Sequence, residues 1–407
     1  MEAPAAGALL AQVRALPGAE SLLGRLGDTP AVYLVGGAVR DLLLGTSSPD
    51  LDLAVEGDPA VLARRIGGEV RFHDRFGTAT VTLGGHTYDI ARARRETYAA
   101  PGALPDVEPA GLGEDLGRRD FTVNAVAIKL GGADAGTLLA VPSALDDLGA
   151  RQLRVLHDRS FIDDPTRLLR LARYAGRLGF EVEPHTLALV RAALAGRALD
   201  TVSGPRIGAE LRLLAREGDP LPALGATGTL GIGDAIEPGF GLGDEDLARR
   251  SLELLPADGR RDLLALALTA RTVPADRLGP LLERLAFEAS DRDAITAAAT
   301  RADEVADGLG AASRPSALAS AVSGSGPELV ALAGALGPAD PAREWLERLR
   351  HVKLEIDGAD LLAAGVPEGP AIGRGLRAAL AAKLDGHASG REAELAQALA
   401  AARDQIS

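Results

Sequence analysis

The chain has 407 residues, 46% of them hydrophobic, so it can bury more than one core. Its net charge of −13 and its 3% of aromatic residues argue against a surface broadly adapted to bind nucleic acid or to stack bases. The absence of cysteine excludes disulfides and thiolate metal sites and favours a cytoplasmic location. We find no secretory signal and no apolar run of about 18 residues, so no membrane association is expected. The sequence indicates no protein partner.

Strands and short helices alternate in the first third of the chain. The runs at 31–35 and 51–55 are typical of buried strands, and each precedes a short helix that ends at glycine. Residues 78–83 and 87–91 flank a Gly-Gly turn and predict a hairpin, and 121–130 predicts a further strand. From about residue 160, Leu, Ala, Arg and Glu recur at helical spacing. These patterns predict an α+β or α/β domain followed by an all-helical remainder.

The first predicted strand ends in Gly36-Gly37 and turns directly into a helix. Such a turn gathers backbone N–H groups and a helix N-terminus at one point, which attracts phosphate. Arg40, one turn further on, can add positive charge from the same side. Glycine turns are also common for purely structural reasons. A phosphate-binding turn and a structural turn with a surface arginine both remain open on these residues alone.

Two aspartates mark the start of the second predicted strand. Asp50 and Asp52 are two residues apart and therefore share one face, while Leu51 and Leu53 face the core. Paired carboxylates suit Mg²⁺, which completes its shell with water and phosphate oxygens. An Asp-rich turn is the alternative. Asp89, on a later strand, could help to deprotonate an attacking hydroxyl if the two strands are neighbours, or it could simply face water.

Arg118-Arg119-Asp120 directly precedes the apolar run at 121–130. Three charges in this position can mark a plain strand boundary. A functional interpretation places one of the arginines on a phosphate or a ribose, with Asp120 and Asn124 fixing its geometry.

The most informative stretch is 163–177, where arginines repeat at helical spacing. Pro165 and the acids beside it suit a helix N-terminus. They do not explain the arginines Arg167, Arg170, Arg173 and Arg177. Asp164 and Arg167 are three apart and share a helix face, so they offer an acceptor beside a donor fork. That pair matches the amine and ring nitrogen of cytosine or adenine, whereas uracil and guanine would set a carbonyl against the aspartate.

Together these motifs resemble the class II tRNA nucleotidyltransferases, the bacterial CCA-adding enzymes and their poly(A) polymerase relatives. The resemblance extends from about residue 30 to the C-terminus and is weak between residues 220 and 350. The matching strings are GGAVRD (36–41), DLD (50–52), RRDFTVNA (118–125), DDL…LR (146–154), DDPTRLLRLARYAGRLGF (163–180), SGPRIGAEL (203–211) and LEIDGADLLAAGVPEGPAIGRGL (354–376).

The resemblance implies four domains. A polymerase-β-like nucleotidyltransferase palm would occupy 1–150, a helical neck with the base template 151–220, a helical body 221–345 and a tRNA-binding helical tail 346–407. Asp50 and Asp52 would be the catalytic residues and would hold Mg²⁺. The nucleotide-binding residues would be Gly37, Arg40, Arg119, Asp164, Arg167, Arg170 and Arg173, with Asp164 and Arg167 as the template for C and A.

The implied activity is addition of CCA to tRNA 3′ ends from CTP and ATP without a nucleic-acid template. In this family, a flexible loop within 94–120 helps to switch specificity from C to A, and enzymes that add only CC tend to lack it. The loop has its full length here, which disfavours CC-only addition. Its amino-acid sequence also resembles that of A-adding and poly(A) polymerase-like members. Addition of A alone, poly(A) synthesis, nucleotidyl transfer to a small molecule or a protein, and a catalytically inactive RNA-binding protein remain alternatives.

Overall fold

The chain forms two compact units. One comprises Met1–Glu210 and Leu230–Ala235, and the other comprises Leu211–Thr229 and Ile236–Ser407. A sheet-containing unit followed by helices confirms the predicted α+β organisation, while the finer division into palm, neck, body and tail stays a prediction. The computed structural model describes residues 1, 4–29, 31–46, 51–73 and 77–403.

Eleven strands lie within the described part of the first unit. They are β1 (Val32–Val35), β2 (Leu51–Val55), β3 (Glu69–His73), β4 (Thr78–Leu83), β5 (His86–Arg92), β6 (Arg94–Thr97), β7 (Asp106–Pro109), β8 (Val126–Lys129), β9 (Leu138–Ala140), β10 (Gln152–Leu153) and β11 (Glu181–Val182). Seven of them form a mixed sheet in the order β3-β4-β5-β2-β1-β8-β9. Strand β1 pairs antiparallel with β2 and β8, and β2 pairs parallel with β5.

Helices surround this sheet and make up most of the second unit. In chain order they are α1 (Ala6–Arg14), α2 (Ala19–Leu26), α3 (Gly37–Leu43), α4 (Pro59–Ile66), α5 (Leu112–Gly117), α6 (Ala144–Ala150), α7 (Ser160–Asp163), α8 (Thr166–Leu178), α9 (Pro184–Ala195), α10 (Gly204–Ala215), α11 (Leu221–Thr229), α12 (Ile232–Ile236), α13 (Glu245–Leu254), α14 (Arg261–Ala270), α15 (Ala275–Arg284), α16 (Ala289–Ala311), α17 (Pro315–Ala321), α18 (Pro327–Leu336), α19 (Ala339–Glu347), α20 (Gly358–Ala363), α21 (Pro370–Leu384) and α22 (Arg391–Arg403). Within the described ranges, every helix is too short or too polar to span a lipid bilayer.

The second predicted strand does alternate between buried leucines and an exposed aspartate, as the sequence predicts. Leu51, Leu53 and Val55 are 2%, 1% and 6% exposed, whereas Asp52 between them is exposed on the opposite face. That opposite face is partly covered by α5, whose Leu112 packs with residues of β1, β2 and β8. The uncovered end of the face leaves Asp52 accessible beside the β1–α3 turn.

The prediction of one strand over 121–130 is wrong for its first half. Thr122–Asn124 is a 3₁₀ turn, and only Val126–Lys129 joins the sheet as β8. The side chain of Asp120 accepts hydrogen bonds from the Phe121 N–H at 2.8 Å and from Asn124 Nδ2 at 3.0 Å. These local bonds give the backbone an alternative to a ladder and curl it before β8 begins.

The segment 94–120 has regular structure. Strands β6 and β7 form an antiparallel ribbon in register from Arg94↔Pro109 to Thr97↔Asp106, and α5 follows. Neither this ribbon nor β3 was predicted, because both strands of the ribbon and β3 are largely exposed and lack an apolar alternation. Helices α1 and α2 were also unpredicted.

Candidate active site

A cavity of about 430 Å³ lies at the sheet edge where β1 ends and β2 begins. Strand β6 and helix α8 complete its wall. Asp50 lies outside the described residues, and Arg40 and Arg173 do not line the cavity. The other six predicted site residues line it together: Gly37, Asp52, Arg119, Asp164, Arg167 and Arg170.

The Gly36-Gly37 turn forms one wall of this cavity. Gly36 has φ +71°, a region that residues with a Cβ rarely adopt. A Cβ at Gly36 would lie 3.0 Å from Nη1 of Arg119, and one at Gly37 would lie 3.5 Å from Nη2 of Arg40. The glycines therefore let two guanidinium groups approach the backbone closely.

Arg40 lies beneath the cavity floor and is 1% exposed. Its Nε donates to Asp41 Oδ1 at 2.8 Å, and its Nη1 donates to Asn124 Oδ1 at 2.6 Å. Its guanidinium also lies 5.6 Å from the ring centre of Tyr174. These contacts hold α3, the 3₁₀ turn and α8 together. Arg40 therefore stabilises the elements around the cavity and does not line it.

Asp120 links this buried network to Arg170 on α8. Its Oδ2 accepts from Nε and Nη2 of Arg170 at 2.9 and 2.5 Å, and its Oδ1 is bonded to Asn124. Burial alone would raise the pKa of Asp120, but Arg170, Asn124 and the Phe121 N–H outweigh burial and lower it to about 2. Asp120 raises the pKa of Arg170 in turn. Asp120 and Asn124 thus fix Arg170 and Arg40, and not the preceding arginines as the sequence had suggested.

Arg119 is held from the opposite side by Asp115 of α5. Its Nη2 donates to Asp115 Oδ2 at 3.0 Å, while Arg118 donates Nε and Nη2 to Asp115 Oδ1 at 3.0 and 2.8 Å. Burial would raise the pKa of Asp115, but the two arginines hold it below its usual range. Nε of Arg119 is buried and makes no hydrogen bond with the described residues. The site therefore contains a cation that Asp115 holds in place beside the glycine turn.

Asp52 and Asp89 occupy paired positions on the parallel strands β2 and β5. Paired residues on neighbouring strands share a face, so both exposed carboxylates project to the same side. The neighbour relation that the sequence left open is therefore established. No group of three or more side chains able to hold a metal occurs among the described residues. Two carboxylates are nevertheless a set that Mg²⁺ accepts, because it keeps several waters and binds phosphate oxygens.

Arg167 lies in the first turn of α8, whereas Asp164 precedes that helix in an extended conformation, so the prediction that the two share a helix face is wrong. Both residues nevertheless line the same cavity. Oδ1 of Asp164 accepts from Thr166 Oγ1 at 2.7 Å and from Arg206 Nη2 at 2.9 Å. Arg167 is 5% exposed and donates Nη1 to Ser160 Oγ and Nη2 to the Arg118 carbonyl, each at 2.7 Å. Both side chains are therefore fixed in position, and their described bonds leave Oδ2 of Asp164 and three of the five guanidinium N–H groups for a ligand.

Arg173, three residues after Arg170, does not line the cavity. Its Nη2 lies 3.8 Å from Oε2 of Glu210, and its guanidinium lies 5.2 Å from the ring centre of Tyr174. Burial raises the pKa of Glu210 although Arg170 and Arg173 oppose this. Arg173 therefore contacts two residues next to Arg170, Glu210 and Tyr174, and does not reach the cavity surface.

Three residues in or next to the cavity were not predicted from the sequence: Glu96, Tyr98 and Arg206. Tyr98 donates to Glu96 Oε2 at 3.1 Å, and burial together with Glu96 raises the pKa of Tyr98 to about 12, so the phenol stays protonated. Glu96 also accepts from Arg94 and Arg118. Arg206 bonds Asp164 across 42 residues of sequence, and no local spacing could have revealed that contact.

Comparisons with known proteins agree with this geometry. Residues 32–154 match the Poly A polymerase head domain family. The A-adding tRNA nucleotidyltransferase of Geobacter sulfurreducens is 35% identical over 406 residues, covering 92% of this chain and 46% of that protein. The CC-adding tRNA nucleotidyltransferase of Deinococcus radiodurans is 37% identical over 359 residues, covering 86% of this chain and 84% of that protein.

Solved structures share the fold over nearly the whole chain. A CCA-adding enzyme in an apo form superposes with a TM-score of 0.82 at 30% identity, covering 98% of this chain and 100% of that one. The Thermotoga maritima CCA-adding enzyme, complexed with tRNA_CCA, gives 0.77 at 28% identity, covering 98% of this chain and 99% of that one.

The chain belongs to the tRNA nucleotidyltransferase family. The predicted fold, a nucleotidyltransferase domain followed by helical regions, is confirmed as the fold of CCA-adding enzymes. The alignments with the A-adding relatives of Geobacter sulfurreducens and Halalkalibacterium halodurans span 46% and 53% of those proteins' length. The Geobacter sulfurreducens relative is longer than this chain, because its alignment spans 92% of this chain, and the relatives differ in the nucleotides for which they are named.

Proposed function

We propose that the protein adds C, C and A to the 3′ ends of tRNA, using CTP and ATP as substrates. One observation carries this proposal: the glycine turn, Asp52, the fixed arginines and the Asp164–Arg167 pair all converge on one cavity of about 430 Å³. A cavity of this size suits one nucleoside triphosphate. A base reader at one end and a carboxylate at the other would set the α-phosphate beside Asp52.

The reaction is the attack of the tRNA 3′-oxygen on the α-phosphorus. A bond forms between these atoms, the bond from the α-phosphorus to the bridging oxygen of the β-phosphate breaks, and pyrophosphate leaves with that electron pair. Asp89, beside Asp52 on the same face, would take the hydroxyl proton. Arg119 and Arg170, each fixed by a buried carboxylate, would hold phosphate oxygens without having to be reordered.

Asp52 and Asp89 are the described residues that would hold a divalent metal, and Asp50 would join them. Nucleotidyltransferases generally use divalent ions, and we infer Mg²⁺ because all these donors are carboxylate oxygens. When bound, the ion would lower the pKa of the attacking hydroxyl and neutralise charge on the triphosphate.

Base selection would fall to Asp164 and Arg167. Oδ2 of Asp164 would accept from the exocyclic amine of cytosine or adenine, and a remaining N–H of Arg167 would donate to the adjacent ring nitrogen. Uracil or guanine would place a carbonyl against Asp164 and leave a buried acceptor unpaired, which is the kind of mismatch that discriminates strongly.

Addition of A alone is the second candidate. It is favoured by the A-adding activity for which the Geobacter sulfurreducens relative is named, and this relative aligns with 92% of the present chain. The same cavity and the same base reader would serve this activity with ATP as the only substrate. The two candidates differ in whether CTP is used and in which tRNA ends are accepted.

The deciding experiment is single-nucleotide extension. The purified protein and Mg²⁺ are given tRNAs that end before CCA, after C and after CC, with CTP, ATP, UTP or GTP alone and with CTP and ATP together. Addition of two C and then one A, with arrest after A, supports the proposal. Use of ATP on the CC-ended tRNA alone supports A addition, and long A tails on any RNA would indicate poly(A) synthesis.

Asp52→Asn tests the catalytic assignment in the same assay. Transfer should fall by a factor of about 10³ or more while tRNA binding, measured by fluorescence anisotropy, is retained. The matched control is Asp28→Asn, an exposed carboxylate outside the cavity, which should transfer at the normal rate. A catalytically inactive RNA-binding protein would bind tRNA in all three forms and transfer in none.

A further inference from the structure

Four polar side chains form a row across one face of the sheet. The register sets Thr80 of β4 opposite Asp89 of β5, and Asp89 opposite Asp52 of β2. His73 of β3 pairs with Thr78, so it is the diagonal neighbour of Thr80. All four members of this row, His73, Thr80, Asp89 and Asp52, line a second cavity of about 450 Å³.

The hydrogen bonds along the row have a defined direction. Thr80 Oγ1 lies 2.7 Å from Asp89 Oδ1, and His73 Nε2 lies 3.2 Å from Thr80 Oγ1. A threonine hydroxyl carries one proton, and an ionised carboxylate can only accept. The proton of Thr80 therefore goes to Asp89, and His73 donates to Thr80 from Nε2. His73, Thr80 and Asp89 thus form a chain of hydrogen bonds in which each donor points toward the Asp89 carboxylate.

Asp89 needs such support because its side chain is exposed. An exposed aspartate samples several rotamers, whereas a proton acceptor or a metal ligand has to be held within about 0.5 Å of its working position. The bond from Thr80 fixes Oδ1, and the register keeps the carboxylate beside Asp52. A cross-strand pair that only stabilised the sheet would leave turnover unchanged.

We propose that Thr80 and His73 are positioning residues for Asp89: Thr80 fixes the orientation of its carboxylate, and His73 fixes the Thr80 hydroxyl. This inference rests on the proposed function, in which Asp89 receives the proton of the attacking hydroxyl and faces the metal. Partners that orient a functional carboxylate typically affect metal affinity or activity about 10- to 100-fold when they are removed.

The test compares Thr80→Val, which is isosteric but lacks the hydroxyl, with Thr80→Ser, which retains it. For Thr80→Val we expect kcat to fall about 10- to 100-fold, with the KM for nucleotide and for tRNA changing much less. Thr80→Ser should stay near the wild-type rate. For His73→Phe we expect a smaller fall in kcat. His73→Gln, whose amide can still donate to Thr80, should keep kcat near the wild-type value.

The matched control is Thr82→Val, on the same strand and face but exposed and outside the second cavity. A second readout is Mn²⁺ affinity, measured by electron paramagnetic resonance without tRNA, which should weaken for Thr80→Val and not for Thr82→Val. Combining Asp89→Asn with Thr80→Val should cost no more than Asp89→Asn alone, because the threonine acts only through that carboxylate.

Three results decide the matter. If Thr80→Val matches Thr82→Val in both kcat and Mn²⁺ affinity, the positioning role is refuted. If the two substitutions at Asp89 and Thr80 give fully additive losses, the threonine does not act through Asp89 and the inference also fails. If the wild-type protein transfers no nucleotide to any tRNA, the proposed function fails, while the Mn²⁺ comparison still tests whether Thr80 orients Asp89.

Discussion

Replacing Asp120 with asparagine should destabilise the first unit, because it removes the negative partner of Arg170. Asp120 is 5% exposed and bonds Arg170 twice, Asn124 once and the Phe121 N–H once. Asparagine can keep the bond to Phe121 but presents no charge to the guanidinium. Breaking one side of a buried ion pair typically costs about 3–5 kcal/mol.

The pKa of Asp120 gives a second and independent magnitude. Folding lowers it from 3.8 to about 2, and at about 1.4 kcal/mol per unit this amounts to about 2 kcal/mol. The side chain of Arg170 is 35% exposed, so water would recover part of the lost interaction in the variant. We therefore expect a loss of about 2 kcal/mol at pH 7, below the range for a fully buried pair.

The same shift fixes the pH dependence. Because the folded pKa is lowered, this contribution is fully present above about pH 4, falls to roughly half at pH 3 and is lost as the pH approaches 2. The wild-type protein should therefore lose more unfolding free energy between pH 5 and pH 3 than Asp120→Asn does. The difference between the two proteins should narrow by about 1 kcal/mol over that interval.

Urea unfolding at a series of pH values is the assay, and the chain separates its signals conveniently. All four tyrosines lie in the first unit, and the single tryptophan, Trp345, lies in the second. Near-ultraviolet circular dichroism of tyrosine therefore reports the affected unit, and Trp345 fluorescence serves as the internal control. Equal tyrosine transitions for both proteins at pH 7, or parallel losses between pH 5 and pH 3, would refute this account of the Asp120–Arg170 pair.

Two further substitutions test the cavity itself. Gly36→Ala should raise the KM for nucleotide about tenfold, because a positive φ costs alanine about 1–2 kcal/mol and its Cβ would displace Arg119. The control is Gly24→Ala, because nothing lies within 4 Å of a Cβ at that position. A normal KM for Gly36→Ala would show that the turn does not shape the nucleotide site. Asp164→Ala should abolish the preference for C and A over U and G, and Arg206→Gln, which removes one bond to Asp164, should weaken it. Unchanged selection by Asp164→Ala in single-nucleotide extension would remove Asp164 from base recognition.

Local sequence determined the β1–α3–β2 part of the site. Strands β1 and β2 are short apolar runs, and Gly36 supplies the positive φ between strand and helix. The placement of Asp52 opposite Leu51 and Leu53 follows from the two-residue period of a strand. Features set by such short-range rules could be predicted without knowing which segments become neighbours.

Pairing between distant segments could not be predicted in this way. Asp89 could be placed on a strand, but only the register of β2 with β5 sets it beside Asp52. The partner of Asp120 was also misassigned, because Arg118 and Arg119 are adjacent in sequence whereas Arg170, 50 residues away, is the one it bonds. The choice among several arginines depends on how α8 packs, and helical spacing alone does not contain that information.

The charges of the cavity suit the polyphosphate of the proposed nucleotide substrate although the protein is acidic. Five arginines and four carboxylates line it: Arg94, Arg118, Arg119, Arg167, Arg170, Asp52, Glu96, Asp120 and Asp164. Glu96 bonds Arg94 and Arg118, and Asp120 bonds Arg170, so these carboxylates fix arginines in place. Ordering a free arginine costs about 2 kcal/mol of side-chain entropy, and here that cost is met during folding. The carboxylates thus reduce the net charge of the cavity but leave its donors preorganised, which is why the net charge of −13 is a poor guide to what this site can bind.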